Sequence, residues 1–134
     1  MNGIHSDAGF YRRHGVRIIG ANVPTANYVK IPYLMEELVK SIYEKTENIV
    51  YHVAVIHSNF EKIHPFGDGN GRVGRLIMSA MLLKENIPPC IIIQKEKHKY
   101  YSCLNKAQLN DDFTFLEEFI LDGILDGYKV LTRE

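Results

Sequence analysis

Apolar residues return every third or fourth position through most of this 134-residue chain, a spacing that a helix converts into one buried face. Leu34, Met35, Leu38, Val39 and Ile42 follow it after Pro32, whose fixed φ suits a first helical turn, and they predict a helix to about Thr46. Val53, Ile56, Phe60 and Ile63 predict a second helix, closed at His64-Pro65 because proline disfavours helix in the residue before it. A third helix is expected from about Asn70, carrying Leu76, Ile77, Ala80, Met81 and Leu83 and ending in Lys84 to Pro89. The stretch "CIIIQKEKHKYYSCLNKAQL" starts extended and turns helical by about Lys95, and Asp111 or Asp112 then caps a last helix through Phe115, Leu116, Phe119, Ile120, Ile124 and Leu125. Only "GVRIIGANVPTANYVKIP" reads as β: two short runs, Val16 to Ile19 and Tyr28 to Ile31, flank Asn22, Pro24 and Asn27 and predict a small hairpin. The expected class is mainly α, with a short β-hairpin flap over about residues 16–31.

Charge changes this picture little. Lys plus Arg and Asp plus Glu are equal at 16 each, so no overall field draws the chain to nucleic acid or to an acidic membrane, and any anion site must be local. The length suits one domain over residues 1–134, with no internal repeat. Cys90 and Cys103 lack paired spacing, and neither a signal peptide nor an apolar run of membrane-spanning length is present, so a cytoplasmic protein with two core thiols is expected. His52 and His57 are five apart, the wrong spacing for a metal pair on a helix face, and are expected to be hydrogen-bonded near the core.

Candidate chemistry concentrates in "HPFGDGNGRVGR", residues 64–75. Gly69, Asn70 and Gly71 are able to adopt left-handed or alternating conformations that aim successive N–H groups into one concavity, at the start of a helix whose dipole favours an anion. Arg72 and Arg75, one turn apart, add forked donors for phosphate oxygens. So many donors suit a diphosphate or triphosphate, and Asp68 beside them is able to hold the Mg²⁺ that accompanies one. His64, with an ordinary pKa near 6.5, is able to accept the proton of a hydroxyl attacking phosphorus. Phe66 would anchor the loop to the core. Residues 69–74 also spell GxGxxG, but a helix rather than a strand precedes them; as an EF-hand loop they fail at Arg72, Val73 and Ser79, and no GK(S/T) follows for a P-loop.

The run matches every fixed position of HxFx(D/E)GNGRxxR and so resembles the Fic domain family, and the likeness covers nearly the whole chain. "AGFYRRHGVRI" with the hairpin after it is similar to the family's flap, and "KEKHKYYSCLNKAQ" to its helix beside the nucleotide base. The resemblance implies a mainly helical domain that transfers AMP from ATP, with Mg²⁺, to a Ser, Thr or Tyr hydroxyl of a target protein docked on the flap. His64 would then be the general base, Asp68 the Mg²⁺ ligand, Gly69, Asn70 and Gly71 the cradle of the α and β phosphates, Arg72 a phosphate contact and Arg75 the γ-phosphate grip. Tyr100 or Tyr101 would lie near adenine, and either could equally be core.

Many relatives carry an inhibitory helix with (S/T)xxxE(G/N), whose Glu pairs with the second arginine. Here "TFLEEF" at 114–119 has Phe119 in place of Gly or Asn, in a segment that reads as a core helix. The brake is therefore expected to be missing, through truncation or because it lies on a separate, antitoxin-like protein, and self-modification is expected. Alternatives on the same scaffold are removal of AMP or transfer of another nucleotide or phosphate-containing group; a non-catalytic nucleotide-binding module is the alternative outside enzymes.

Overall fold

The computed structural model describes residues 8–18 and 24–132. Five helices carry the architecture: α1 (Ile31–Ile42), α2 (Ile49–Ile63), α3 (Asn70–Lys84), α4 (Lys97–Asn110) and α5 (Thr114–Thr132), with short 3-10 turns at Tyr28–Lys30 and Gln94–Glu96. Helix α2 is the central one and touches the other four. Its Val53, Ala54, Ile56 and Phe60 are almost wholly buried, and Leu116 and Ile120 of α5 close over them. Each such aliphatic or aromatic side chain contributes about 1.5–3 kcal/mol by leaving water.

Local polar chemistry sets the helix boundaries. Asn48 caps α2 by accepting from the Tyr51 N–H at 3.1 Å, and its own N–H donates to Thr46 Oγ1 at 3.1 Å. These bonds draw residues 43–48 out of α1, which ends at Ile42 through i→i+3 bonds from Tyr43 and Glu44, short of the expected Thr46. Before α5, Asp112 Oδ1 accepts from the Thr114 N–H and hydroxyl at 3.2 and 2.6 Å.

Two expectations need correction. Among the described residues there is no strand: Tyr28–Lys30 is a 3-10 turn capped by Asn27, whose Oδ1 accepts from the Val29 N–H at 3.1 Å, and Ile31 already opens α1. Residues 16–18 have no ladder partner, and residues 19–23 of the expected hairpin lie outside the described residues. The apolar register of α3 also differs. Met78, Met81 and Leu82 are buried, whereas Leu76 and Leu83 are exposed, as are Phe115 and Leu125 of α5.

Close backbone approach explains three glycines. A Cβ at Gly74 would collide with Glu61 Oε1 on α2, and Cβ atoms at Gly123 and Gly127 of α5 would collide with Cys90 Sγ and the Pro89 carbonyl. The extended segment 88–93 thereby lies directly on α5, where the Ile91 N–H donates to the Gly123 carbonyl at 3.1 Å. Both cysteines are free thiols, and burial pushes the Cys90 thiol up to about 12, which makes it inert.

Candidate functional site

The site lies where α2 ends and α3 begins. His64 is the residue after α2 and adopts a left-handed conformation, φ 50° and ψ 62°, while its N–H still donates to the Phe60 carbonyl at 2.9 Å. A non-glycine residue holds that conformation only when its surroundings over-determine it. Here Arg12 supplies them. Its guanidinium is 2 % exposed and donates to the carbonyls of His64 at 2.6 Å, Ile63 at 3.1 Å, Ala26 at 2.6 Å and His14 at 2.9 Å. The Arg12 N–H also donates to the Pro65 carbonyl at 2.8 Å, and the Ala26 N–H to that of Lys62 at 3.1 Å. The last carbonyls of α2 are thus satisfied by the segments on either side of the expected flap, whose two legs also meet where Thr25 Oγ1 donates to the Val16 carbonyl at 2.9 Å.

The His64 ring is half-buried, with Nδ1 turned inward and without a hydrogen-bond partner. Burial lowers its pKa below the ordinary value, and the Arg12 charge adds to the effect, so the imidazole is neutral at physiological pH. Phe66 packs against the core and its ring centroid lies 5.8 Å from that of Tyr11.

On the other side of the loop, only Gly69 is left-handed, φ +83°; Asn70 and Gly71 are already the first residues of α3, so the expected run of unusual conformations reduces to one. Gly69 as N-cap provides no side chain, which leaves the first N–H groups of α3 open to a ligand. The buried Asn70 amide closes the loop on itself: Nδ2 donates to the Phe66 carbonyl at 2.8 Å and Oδ1 accepts from the Phe66 N–H at 2.9 Å. Arg72 and Arg75 are exposed and fold back over the helix start. Their guanidiniums lie 3.4 and 3.3 Å from where Cβ atoms would stand on Gly69 and Gly71, so both glycines make room for them. Asp68 and Arg72 stand 3.7 Å apart in an exposed pair.

No group of three or more His, Cys, Asp or Glu side chains able to hold a metal occurs among the described residues. One exposed carboxylate, Asp68, fits Mg²⁺ that arrives with a polyphosphate, because that ion takes most of its ligands from phosphate and water. Of the two tyrosines, Tyr100 is buried with its hydroxyl 2.6 Å from His57 Nε2, while Tyr101 is half-buried and lines an open groove of about 430 Å³ with His98, Asn105 and Lys106. Of the two, Tyr101 is the one open to a ligand.

Arg12 and Glu61 escape pattern reading, whereas His57 is near the core and hydrogen-bonded, as expected. Arg12 looks like one more surface cation in "YRRH". Glu61 and His57 project from α2 into its buried side, where burial raises the Glu61 carboxyl to about 7 and lowers His57 to about 4. Their helical spacing from His64 was a signal, since 57, 61 and 64 share one face.

A model of the Fic/DOC family matches residues 1–82. Relatives named Protein adenylyltransferase Fic are similar to the chain: the Drosophila willistoni protein is 34% identical over 118 residues, 87% of this chain, and the Aedes aegypti protein 42% over 88 residues, 63% of it. The chain spans 23% and 17% of their lengths. A crystal structure of a Fic family protein from Desulfovibrio desulfuricans G20 superposes with a TM-score of 0.77 at 29% identity, over 98% of this chain and 43% of the other. The chain belongs to the Fic/DOC family.

Proposed function

We propose that this chain is a protein adenylyltransferase that moves AMP from ATP to a Ser, Thr or Tyr hydroxyl of a target protein, and that residues 1–134 form one Fic domain. The observation that carries the reading is the pairing, on one short loop, of a neutral imidazole held in a left-handed conformation with an uncapped helix N-terminus overhung by two arginines. The name of the similar insect proteins supports the same chemistry.

The proposed steps use the residues of this loop. The polyphosphate lies on the first N–H groups of α3 at Gly69, Asn70 and Gly71, with Arg72 and Arg75 as charged donors and Arg75, further along the helix, on the γ-phosphate. Mg²⁺ held by Asp68, when bound, neutralises charge on the phosphate oxygens. Tyr101 flanks the base. His64 takes the hydroxyl proton on Nε2, since Nδ1 is turned inward. The hydroxyl oxygen bonds to the α-phosphorus as the bond to pyrophosphate breaks, and pyrophosphate leaves with the electron pair. Phe66 and the Asn70 amide keep the loop closed around this path, and the flap segment presents the target.

Intact-protein mass spectrometry after incubation with ATP and Mg²⁺, on the chain and on His64→Ala, tests the proposal. The expected result is a mass increase equal to AMP on the chain itself or on an added target, lost in the variant while ATP binding persists. An AMP adduct that survives His64→Ala refutes the mechanism; transfer from GTP or UTP in place of ATP refutes the choice of donor.

A further inference from the structure

Residues 8–35 contain no Asp or Glu, yet they hold Arg12, Arg13, Arg17 and Lys30 in a protein whose charges balance overall. Arg12 is consumed by the carbonyls it caps, which leaves Arg13, Arg17 and Lys30 exposed on one acid-free segment. The same segment exposes large apolar side chains: Phe10 is 63% exposed, Val29 71% and Tyr33 64%. Between them opens a cleft of about 290 Å³ lined by Phe10, Tyr11, Arg13, Tyr28, Val29 and Pro32, large enough for a side chain and too small for a nucleotide. It adjoins the proposed reaction centre, because Tyr11 rests on Phe66 and the next residue, Arg12, binds the His64 carbonyl. A segment that brings a hydroxyl to His64 is therefore able to reach it.

We infer that this cleft is a specificity site for the target protein, which takes an extended acidic segment bearing a large apolar or aromatic side chain beside the modified hydroxyl. The inference rests on the transfer reaction proposed above only in its naming of the occupant. Aromatic walls exclude water from the apolar side chain, and the acidic residues meet Arg13 in the cleft wall and the exposed Arg17 and Lys30 of the same segment. A nucleic-acid strand fits less well, since a side-chain-sized cleft with one exposed arginine in its wall offers neither a phosphate track nor a stacking platform.

Fluorescence anisotropy without nucleotide separates docking from catalysis. Labelled peptides of one length share a central Thr; the first carries Phe and two Glu beside it, the second Phe and two Lys, the third two Glu and Ala. The first should bind about three- to tenfold more tightly than the others, with the charge preference shrinking as salt rises. Arg13→Glu, at an exposed position, should reverse the preference between Glu and Lys peptides, and Tyr28→Ala should erase that for Phe over Ala, each with an unfolding midpoint near that of the parent. Equal binding of the three peptides, or tighter binding of a single-stranded oligonucleotide, overturns the inference. Preserved peptide preference without any AMP transfer overturns the proposed function and leaves the docking site standing.

Discussion

Arg12 donates its guanidinium to four main-chain carbonyls, two of them on the residues that end α2, and so holds His64 in a conformation that its own side chain disfavours. It is a positioning residue. Arg12→Met should cost at least about 3 kcal/mol in chemical denaturation, since hydrogen bonds to a buried charge are each worth about 1.5–3 kcal/mol. It should also lower kcat tenfold or more with ATP affinity retained. Arg12→Lys should rescue little, because a single ammonium cannot span carbonyls spread over residues 14 to 64. A KM rise with kcat unchanged would show that Arg12 acts on binding and not on the base. The pH profile reports the base directly. Burial holds the His64 pKa below 6.5, so transfer at pH 6.5 should exceed half its maximum and reach half only at a lower pH. A decline already complete at pH 6.5 would show that the imidazole is charged there.

Where α2 meets α3, Glu61 packs directly on Gly74. The carboxyl fills the space that a Cβ on Gly74 would need, and Phe60 stands 3.2 Å from the same point. Gly74→Ala should therefore destabilise the protein by about 1–3 kcal/mol through overpacking, despite the better helix propensity of alanine. Adding Glu61→Ala to Gly74→Ala should recover part of that loss; strictly additive costs in thermal denaturation would mean that the two positions do not share the space. Helix α2 was legible in its sequence because each apolar repeat falls on the side that the other helices cover. Helix α3 was not. Apolar residues occupy most of its positions from Leu76 to Leu83, so periodicity cannot say which of them face inward, and the neighbours select Met78, Met81 and Leu82. The expected strand at Tyr28 to Ile31 gave way for a related reason: the run is β-prone, but Asn27 offers a side-chain acceptor and Pro32 a helix start, and those local bonds win.

Across the whole molecule, the buried carboxyl of Glu61 couples stability to pH. Burial raises its folded pKa to about 7, against an ordinary 4.5. The folded state therefore holds a proton that the unfolded chain releases, and this contribution is complete below pH 4.5 and lost as pH rises through about 7. His57, lowered to about 4, acts in the opposite sense, its contribution being lost as pH falls from 6.5 towards 4. Glu61→Gln isolates the carboxyl. Its stability relative to the parent should rise by about 3 kcal/mol between pH 4.5 and pH 8, at 1.36 kcal/mol per pKa unit. A difference independent of pH in urea denaturation would mean that Glu61 is ionised in the fold.

What the chain declares in its letters is whatever depends on near neighbours: helix periods, caps, and a twelve-residue run whose histidine, aspartate, glycines and arginines are close because they are consecutive. Those relations survive in any packing. Tertiary structure alone decided that Arg12 reaches across 52 residues to the His64 carbonyl, that Tyr100 turns inward to His57 while Tyr101 faces out, and that Glu61 is buried against Gly74 with its pKa raised. Each of these depends on burial and on a partner from another element. The same arginine, tyrosine or glutamate has one chemistry in water and another against a carbonyl or a helix backbone, and only the packed core determines which of the two it meets.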